Sequence, residues 1–277
     1  MQNKPSKLEA EEKLGYYDFM AQMGVPYFHW GGIAATDRLL CLCKVNNKKK
    51  VLVVGCGTGY SASHIAGKYG CRVFGIDISE MMIAKAKERA YRLGLADDVK
   101  FQVADAYDLP FEEESFDIVI SEFVTVFLRG EDAFREYHRV LRSGGYLGIN
   151  ELYRSENIPS QAKEIIRDTE KKFGEAIGLS FYLPTDREWE ELFRRSHLKV
   201  IQKEEVESTY RTFEYVEALG GWTRTLELSA KSIYHLLFNR RMRRPLMQAG
   251  KMKKVLMRNK NTRQYLGAML FVGRKGS

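Results

Sequence analysis

Gly55, Gly57 and Gly59 follow the apolar run VLVV (51–54) directly, and Asp77 closes the next apolar run 22 residues after Gly55. Where a strand turns into a helix, glycine lets the backbone come close to a ligand while the first helical N–H groups face it. A carboxylate at the end of the second strand can accept both hydroxyls of a ribose. Together the turn and the carboxylate make a nucleoside site, and their spacing is GxGxG rather than the GxGxxG of dinucleotide turns. Glu122 and Glu151 end two later apolar runs. Carboxylates there could deprotonate an acceptor or hold a cationic one, while Asn150-Glu151 could equally cap the following segment. Within the same region Cys56 reads as packing rather than as a nucleophile, Asp117 as structural, and Asp105 could cap the turn after its strand.

Periodicity supplies the elements that must position these residues. The β-branched run from Lys50 to Gly55 is a strand, and Ala62, Ile65, Ala66 and Tyr69 then recur at helical spacing until Gly70. RVFGID is a second strand, and Ser79 caps a helix carrying Met82, Ile83, Ala86, Ala90 and Leu93 that Gly94 ends. VKFQVAD and FDIVIS are the third and fourth strands, Glu131 to Arg142 a helix, and YLGIN a fifth strand after the Gly144-Gly145 turn. Strands separated by helices predict an α/β, doubly wound parallel sheet whose ligand edge lies at the strand C-termini. Beyond Glu151 the rhythm changes. Residues 152–185 read as a mixed insertion, Asp186 to Arg195 as a helix, LKVIQKEEV as a sixth strand and QYLGAMLFVGRK as the last. Between the last two strands, over 207–264, Leu226, Ala230, Ile233 and Leu237 form one helical stripe and Met252, Val255 and Leu256 belong to another, with Pro245 dividing them.

Composition bounds the function classes. With 44% hydrophobic and 29% charged residues in 277, the chain is globular rather than disordered or fibrous, and one large domain with insertions fits the length. Cys41, Cys43, Cys56 and Cys71 contain no CxxC pair and no signal peptide precedes them, which argues against a disulfide framework or a zinc site and predicts a reducing cytoplasm. No His/Asp cluster has ligand spacing, so no metal is expected. No apolar run approaches the roughly 20 residues that span a bilayer. Thirteen of the 44 Lys and Arg lie from Leu228 onward, where there is no Asp or Glu, which leaves 31 basic against 36 acidic residues in the first 227. Such a block points to an acidic partner or surface.

The ordered motifs resemble the class I S-adenosylmethionine-dependent methyltransferases, in particular the methyltransferase type 11 branch that includes quinone-biosynthesis, sterol and phospholipid methyltransferases. The likeness rests on VLVVGCGTG, GIDIS, VADAYDLPFEEESFDIVIS and HRVLRSGGYLGINE and covers about residues 48–151. It implies a Rossmann-like, mainly parallel seven-stranded sheet with an antiparallel last strand and helical insertions over the ligand edge. Residues 48–206 and 265–277 would form the core, 1–47 an N-terminal helical lid and 207–264 a basic helical insertion on the acceptor side. The implied cofactor is S-adenosylmethionine. Gly55, Cys56, Gly57 and Gly59 would cradle its methionine part, Asp77 its ribose, Ile78 and Met82 the two sides of the adenine, and Asp105 with Ala106 the adenine amine and ring. The backbone near Ser121 and Glu122 would close the pocket. The aromatic lid would cover the sulfonium, with Tyr17 and Trp30 against the cofactor and His29 as acceptor contact or base.

The expected activity is methyl transfer to a small-molecule acceptor that is lipid-like, quinone-like or otherwise acidic. Residues 240–263 are expected to meet an acidic substrate or an anionic membrane surface, and the protein to be cytoplasmic or peripheral at such a surface. A nucleic-acid or protein methyltransferase is the alternative that the basic block supports. Against it stand the lack of an NPPY-type motif, of a Pro-Cys nucleophile pair and of a separate recognition domain. A nicotinamide oxidoreductase is disfavoured by the GxGxG spacing, and a cofactor-binding regulator without catalysis is the remaining class.

Overall fold

The structure, a computed structural model, describes residues 15–207 and 212–276. The first 14 residues of the expected lid and residues 208–211 of the expected basic insertion lie outside them. Among the described residues seven strands form one sheet: β1 (Lys50–Val54), β2 (Arg72–Asp77), β3 (Val99–Val103), β4 (Phe116–Glu122), β5 (Leu141–Arg154), β6 (Leu198–Val206) and β7 (Leu266–Lys275). Their order is β3-β2-β1-β4-β5-β7-β6. The first five pair in parallel, and β7 runs antiparallel to both β5 and β6. This is the doubly wound sheet that the alternating pattern predicts, with the reversed last strand that the resemblance adds.

The helices that shape the ligand edge are α1 (Gly15–Gln22), α2 (Gly32–Leu42), α3 (Tyr60–Tyr69) and α4 (Glu80–Arg92); α5 (Gly130–Val140) follows β4. Ser79 caps α4 as its type predicts, accepting the Met82 N–H at 3.1 Å. The central strands are buried on both faces, so their β-branched runs read as continuous rather than alternating. Asp117 is structural here: its carboxylate accepts the Lys50 N–H at 2.9 Å at the start of β1 and faces Lys49 and Arg142.

Four local features differ from the periodicity. The helix expected to reach Arg142 ends at Val140, and β5 starts at Leu141 with its register to β4 shifting between Phe116 and Ile118. Gly144 at φ +76° and Gly145, whose Cβ would stand 2.8 Å from the Arg142 carbonyl, make that bulge. β5 also runs on to Arg154, because β7 pairs with it along the whole of that length. Beyond it α6 (Ser160–Ile177) fills much of 152–185 and packs against a distant helix. After α7 (Asp186–Arg195) and β6 come α8 (Thr212–Leu219), α9 (Trp222–Phe238) and α10 (Arg240–Met257). Pro245 does not divide two helices but lies inside α10. The break falls six residues earlier at Asn239, whose carbonyl and side chain take the Arg243 and Met242 N–H groups.

Candidate functional site

Gly55, Gly57 and Gly59 all hold positive φ, at +63°, +52° and +76°, where a side chain is strained. Their surroundings separate their roles. A Cβ on Gly55 would strike Val124, and one on Gly59 would stand 2.8 Å from Ala86 and Phe101, so both serve close packing. A Cβ on Gly57 would meet nothing within 4 Å, so this glycine faces open space. The turn is tied to β2: the Cys56 N–H donates to the Ile76 carbonyl at 2.8 Å and the Gly57 N–H to Asp77 Oδ2 at 2.9 Å. Cys56 turns its sulfur toward Gly75, and burial pushes its thiol well above the usual range, which suits packing.

Asp77 Oδ1 also accepts the Ser79 N–H at 3.0 Å. Both carboxylate oxygens thus accept from backbone N–H groups. Burial raises the Asp77 carboxyl, the Ser79, Gly57 and Ile78 N–H groups pull it down, and Asp18 pushes it up. Ile78, next in sequence, is 54% exposed, a large apolar side chain on the open side, whereas Met82 is buried in the first turn of α4. Asp105 is exposed and accepts the Tyr107 N–H at 2.9 Å, so it caps its own turn, with the half-buried Ala106 beside it.

The N-terminal segment, expected as a lid, packs against this edge. Asp18 of α1 accepts from the Ser79 hydroxyl at 2.8 Å, and Thr58, within the glycine turn, donates to the Val25 carbonyl at 2.9 Å. Tyr17 packs edge-on to Phe127 at 6.3 Å; burial first, then Tyr16 and Asp77, push its hydroxyl well above the usual range. Tyr215 of α8 packs on Tyr27 at 5.4 Å, so the segment between the last strands reaches the lid.

Beneath the lid a polar cluster forms that the sequence reading only partly assembled. Thr36 of α2 donates to Glu122 Oε1 at 2.9 Å, and His29 Nε2 stands 3.7 Å from Glu122 Oε2 and 3.5 Å from the Thr36 hydroxyl. Asn150 Nδ2 donates to the Trp30 carbonyl at 3.0 Å and lies 3.3 Å from His29 Nδ1. Glu122 pairs with Asn150 across β4 and β5, which puts both on one face. Glu122 Oε2 and Asn150 Oδ1 are buried without a hydrogen-bond partner. Thr36 could have been noticed as a polar residue within the apolar GIAATDRLL, and Asn150 as the residue registered with Glu122.

Glu151, the other proposed carboxylate, does not join them. As the strand neighbour of Asn150 it points to the opposite face, where Oε1 accepts the Val124 and Thr125 N–H groups at 2.9 and 2.7 Å. It holds the turn after β4, in which Phe123 is strained at φ +56°. Ser121 is buried on β4, with its hydroxyl 3.3 Å from that of Thr125. Burial lifts the Glu151 carboxyl to about 7 against the pull of the Thr125 and Val124 N–H groups. The folded value lies above the unfolded one, so the contribution to stability is complete below about pH 4 and lost as pH rises through about 7. Glu151→Gln keeps a carbonyl acceptor and should flatten this slope. Between pH 4 and 8 the wild type is expected to lose about 3 kcal/mol relative to the variant, read from urea midpoints. Parallel pH profiles would show that Glu151 titrates as an ordinary carboxylate.

Among the described residues no group of three or more His, Cys, Asp or Glu side chains is placed to hold a metal ion. A doubly wound sheet with a glycine turn after β1, a carboxylate ending β2 and a reversed β7 is the Rossmann-like fold of methyltransferases. The methyltransferase domain model matches residues 52–149. An uncharacterized protein of Haemophilus influenzae is 34% identical over 190 residues, 68% of this chain and 72% of its own. Phosphoethanolamine N-methyltransferase 1 of Arabidopsis thaliana is 29% identical over 75% of this chain, which spans only 45% of that enzyme. The crystal structure of MccD protein superposes with a TM-score of 0.64 at 28% identity, covering 88% of this chain and 97% of that one. The chain belongs to the methyltransferase domain family, the S-adenosylmethionine-dependent methyltransferases, and its cofactor is S-adenosylmethionine.

Proposed function

We propose that the protein methylates a nitrogen or oxygen of a small molecule that also carries an anionic group, with Glu122 and His29 at the acceptor. The observation that carries this reading is the pair of orphaned acceptors, Glu122 Oε2 and Asn150 Oδ1, buried beside His29. Unpaired buried acceptors are costly, and an amine or hydroxyl on the substrate would satisfy them. The anionic group is argued from the basic C-terminal block, and a lipid-like or quinone-like body from the aromatic lid. The phosphoethanolamine named for the Arabidopsis relative has both an amine and a phosphate, which makes that class the first to try.

When bound, S-adenosylmethionine supplies a methyl on a sulfonium, already activated for in-line displacement. Asp77 would hold its ribose, the Gly57 side of the turn its methionine part, and Ile78 its adenine. The lid excludes water and fixes acceptor orientation, the main contribution open to a protein in this reaction. Glu122 takes the acceptor proton at Oε2, with Thr36 holding Oε1 and His29 sharing the charge.

The test is labelled methyl transfer to a panel of small amines and hydroxyl compounds, with and without phosphate or carboxylate. Glu122→Gln should lower kcat by about a hundredfold, within the usual range for a lost base, and leave S-adenosylmethionine affinity unchanged. Full activity in the variant, or transfer only to carbon acceptors, would remove Glu122 from this role.

A further inference from the structure

Helix α9 carries Trp222, Leu226, Ile233 and Leu237 at 59%, 68%, 57% and 55% exposure. Their spacings of four, seven and four place them on one helical face. Single exposed apolar residues are ordinary, but a continuous stripe on a helix marks an interaction surface. On its opposite side the same helix buries Leu228 against Phe19 and Met23 of the lid. The stripe meets a basic face where the helices join: Arg243 donates to the Leu236 and Leu237 carbonyls at 3.1 and 2.5 Å. From Arg243, the exposed Met247, Lys251, Lys254 and Arg258 recur every three or four residues along α10. Lys251, Lys254 and Arg258 have no ion-pair partner among the described residues, and Leu228 to Ser277 holds no acidic residue.

We propose that α9 and α10 dock on the surface of an anionic phospholipid bilayer, the α9 stripe entering the interface and the α10 bases meeting the headgroups. Among the described residues no helix is long and apolar enough to cross a membrane, so the hairpin lies on the bilayer. A second copy of the chain is the weaker occupant, because a two-fold contact would bring two basic faces together. Leu228 packs the docked helix against Phe19 and Met23 of the N-terminal segment. The proposal goes beyond the reading of Glu122 and His29, and its test needs no acceptor.

Trp222 makes the test direct, since Trp30 and Trp189 are buried at 7% and 1% exposure. The full chain is mixed with phosphatidylcholine vesicles with and without phosphatidylglycerol, and tryptophan emission and flotation are followed across a salt series. Anionic vesicles alone should shift the emission to the blue and carry the protein, less so as salt rises. Leu226→Gln with Ile233→Gln and Leu237→Gln should lower partitioning about tenfold or more, as should Lys251→Gln with Lys254→Gln and Arg258→Gln. All six side chains are exposed, so folding is not at issue. Unchanged emission on anionic vesicles, or unchanged partitioning of either variant, overturns the proposal. Emission already blue before vesicles are added, with a dimer by sedimentation velocity, overturns it in favour of a second copy.

Discussion

Asp77→Ala should lower S-adenosylmethionine affinity by roughly tenfold to over a hundredfold while the chain stays folded, since charge-assisted hydrogen bonds contribute about 1.5–3 kcal/mol. The carboxylate ends β2 beside the glycine turn, with Oδ2 on the Gly57 N–H and Oδ1 on the Ser79 N–H. Removing it would take away the acceptors proposed for the ribose and free the Gly57 side of the turn. The fold should survive because Cys56 still bonds to the Ile76 carbonyl and Ser79 still caps α4. Calorimetric titration of the variant gives the affinity and circular dichroism the fold. An unchanged dissociation constant in a folded variant would mean that another group holds the ribose.

The second large effect separates two glycines of one turn. Gly59→Ala adds a methyl 2.8 Å from Ala86 and Phe101 at φ +76°, so left-handed strain and overpacking act together. A loss of about 2–4 kcal/mol in unfolding free energy is expected. Gly57→Ala carries similar backbone strain but its methyl meets nothing, so stability should fall by only about 1 kcal/mol. That methyl projects into the open space proposed for the cofactor, so S-adenosylmethionine affinity should drop markedly. Urea unfolding and calorimetry on both variants decide the matter. If Gly57→Ala weakens the fold as much as Gly59→Ala and binds the cofactor normally, the open side of the turn is not the ligand side.

Much of this arrangement was legible because its signals are local. The glycine turn, the Ser79 cap and the β1 to β4 runs each depend on residue types a few positions apart, and the structure realises them. The helix in 152–185 was hidden because its core face includes a carboxylate, Glu170, held by the Leu183 N–H at 2.8 Å, and its partner α10 lies far along the chain. Pro245 read as a breaker, yet it lies inside α10, where packing along α6 holds the helix despite the lost backbone bond. The least legible part was the cluster proposed to meet the acceptor. Sequence placed Glu122 and Glu151 at the same sheet edge, but strand alternation sends them to opposite faces, and the residues that surround Glu122 come from α2, the segment before it and β5. Asn150 and Glu151 cannot both face the site, and only pairing register tells which does.

The central claim is that the turn at β1 and the carboxylate at β2 form a site for one nucleoside and not two. Titration calorimetry of the wild-type protein with S-adenosylmethionine, its demethylated product and NAD tests it most directly. The account predicts saturable binding of the first two and none of NAD, because Asp77 and the glycine turn provide one ribose and one cradle. Binding of NAD with no heat from either sulfur-containing ligand would contradict it.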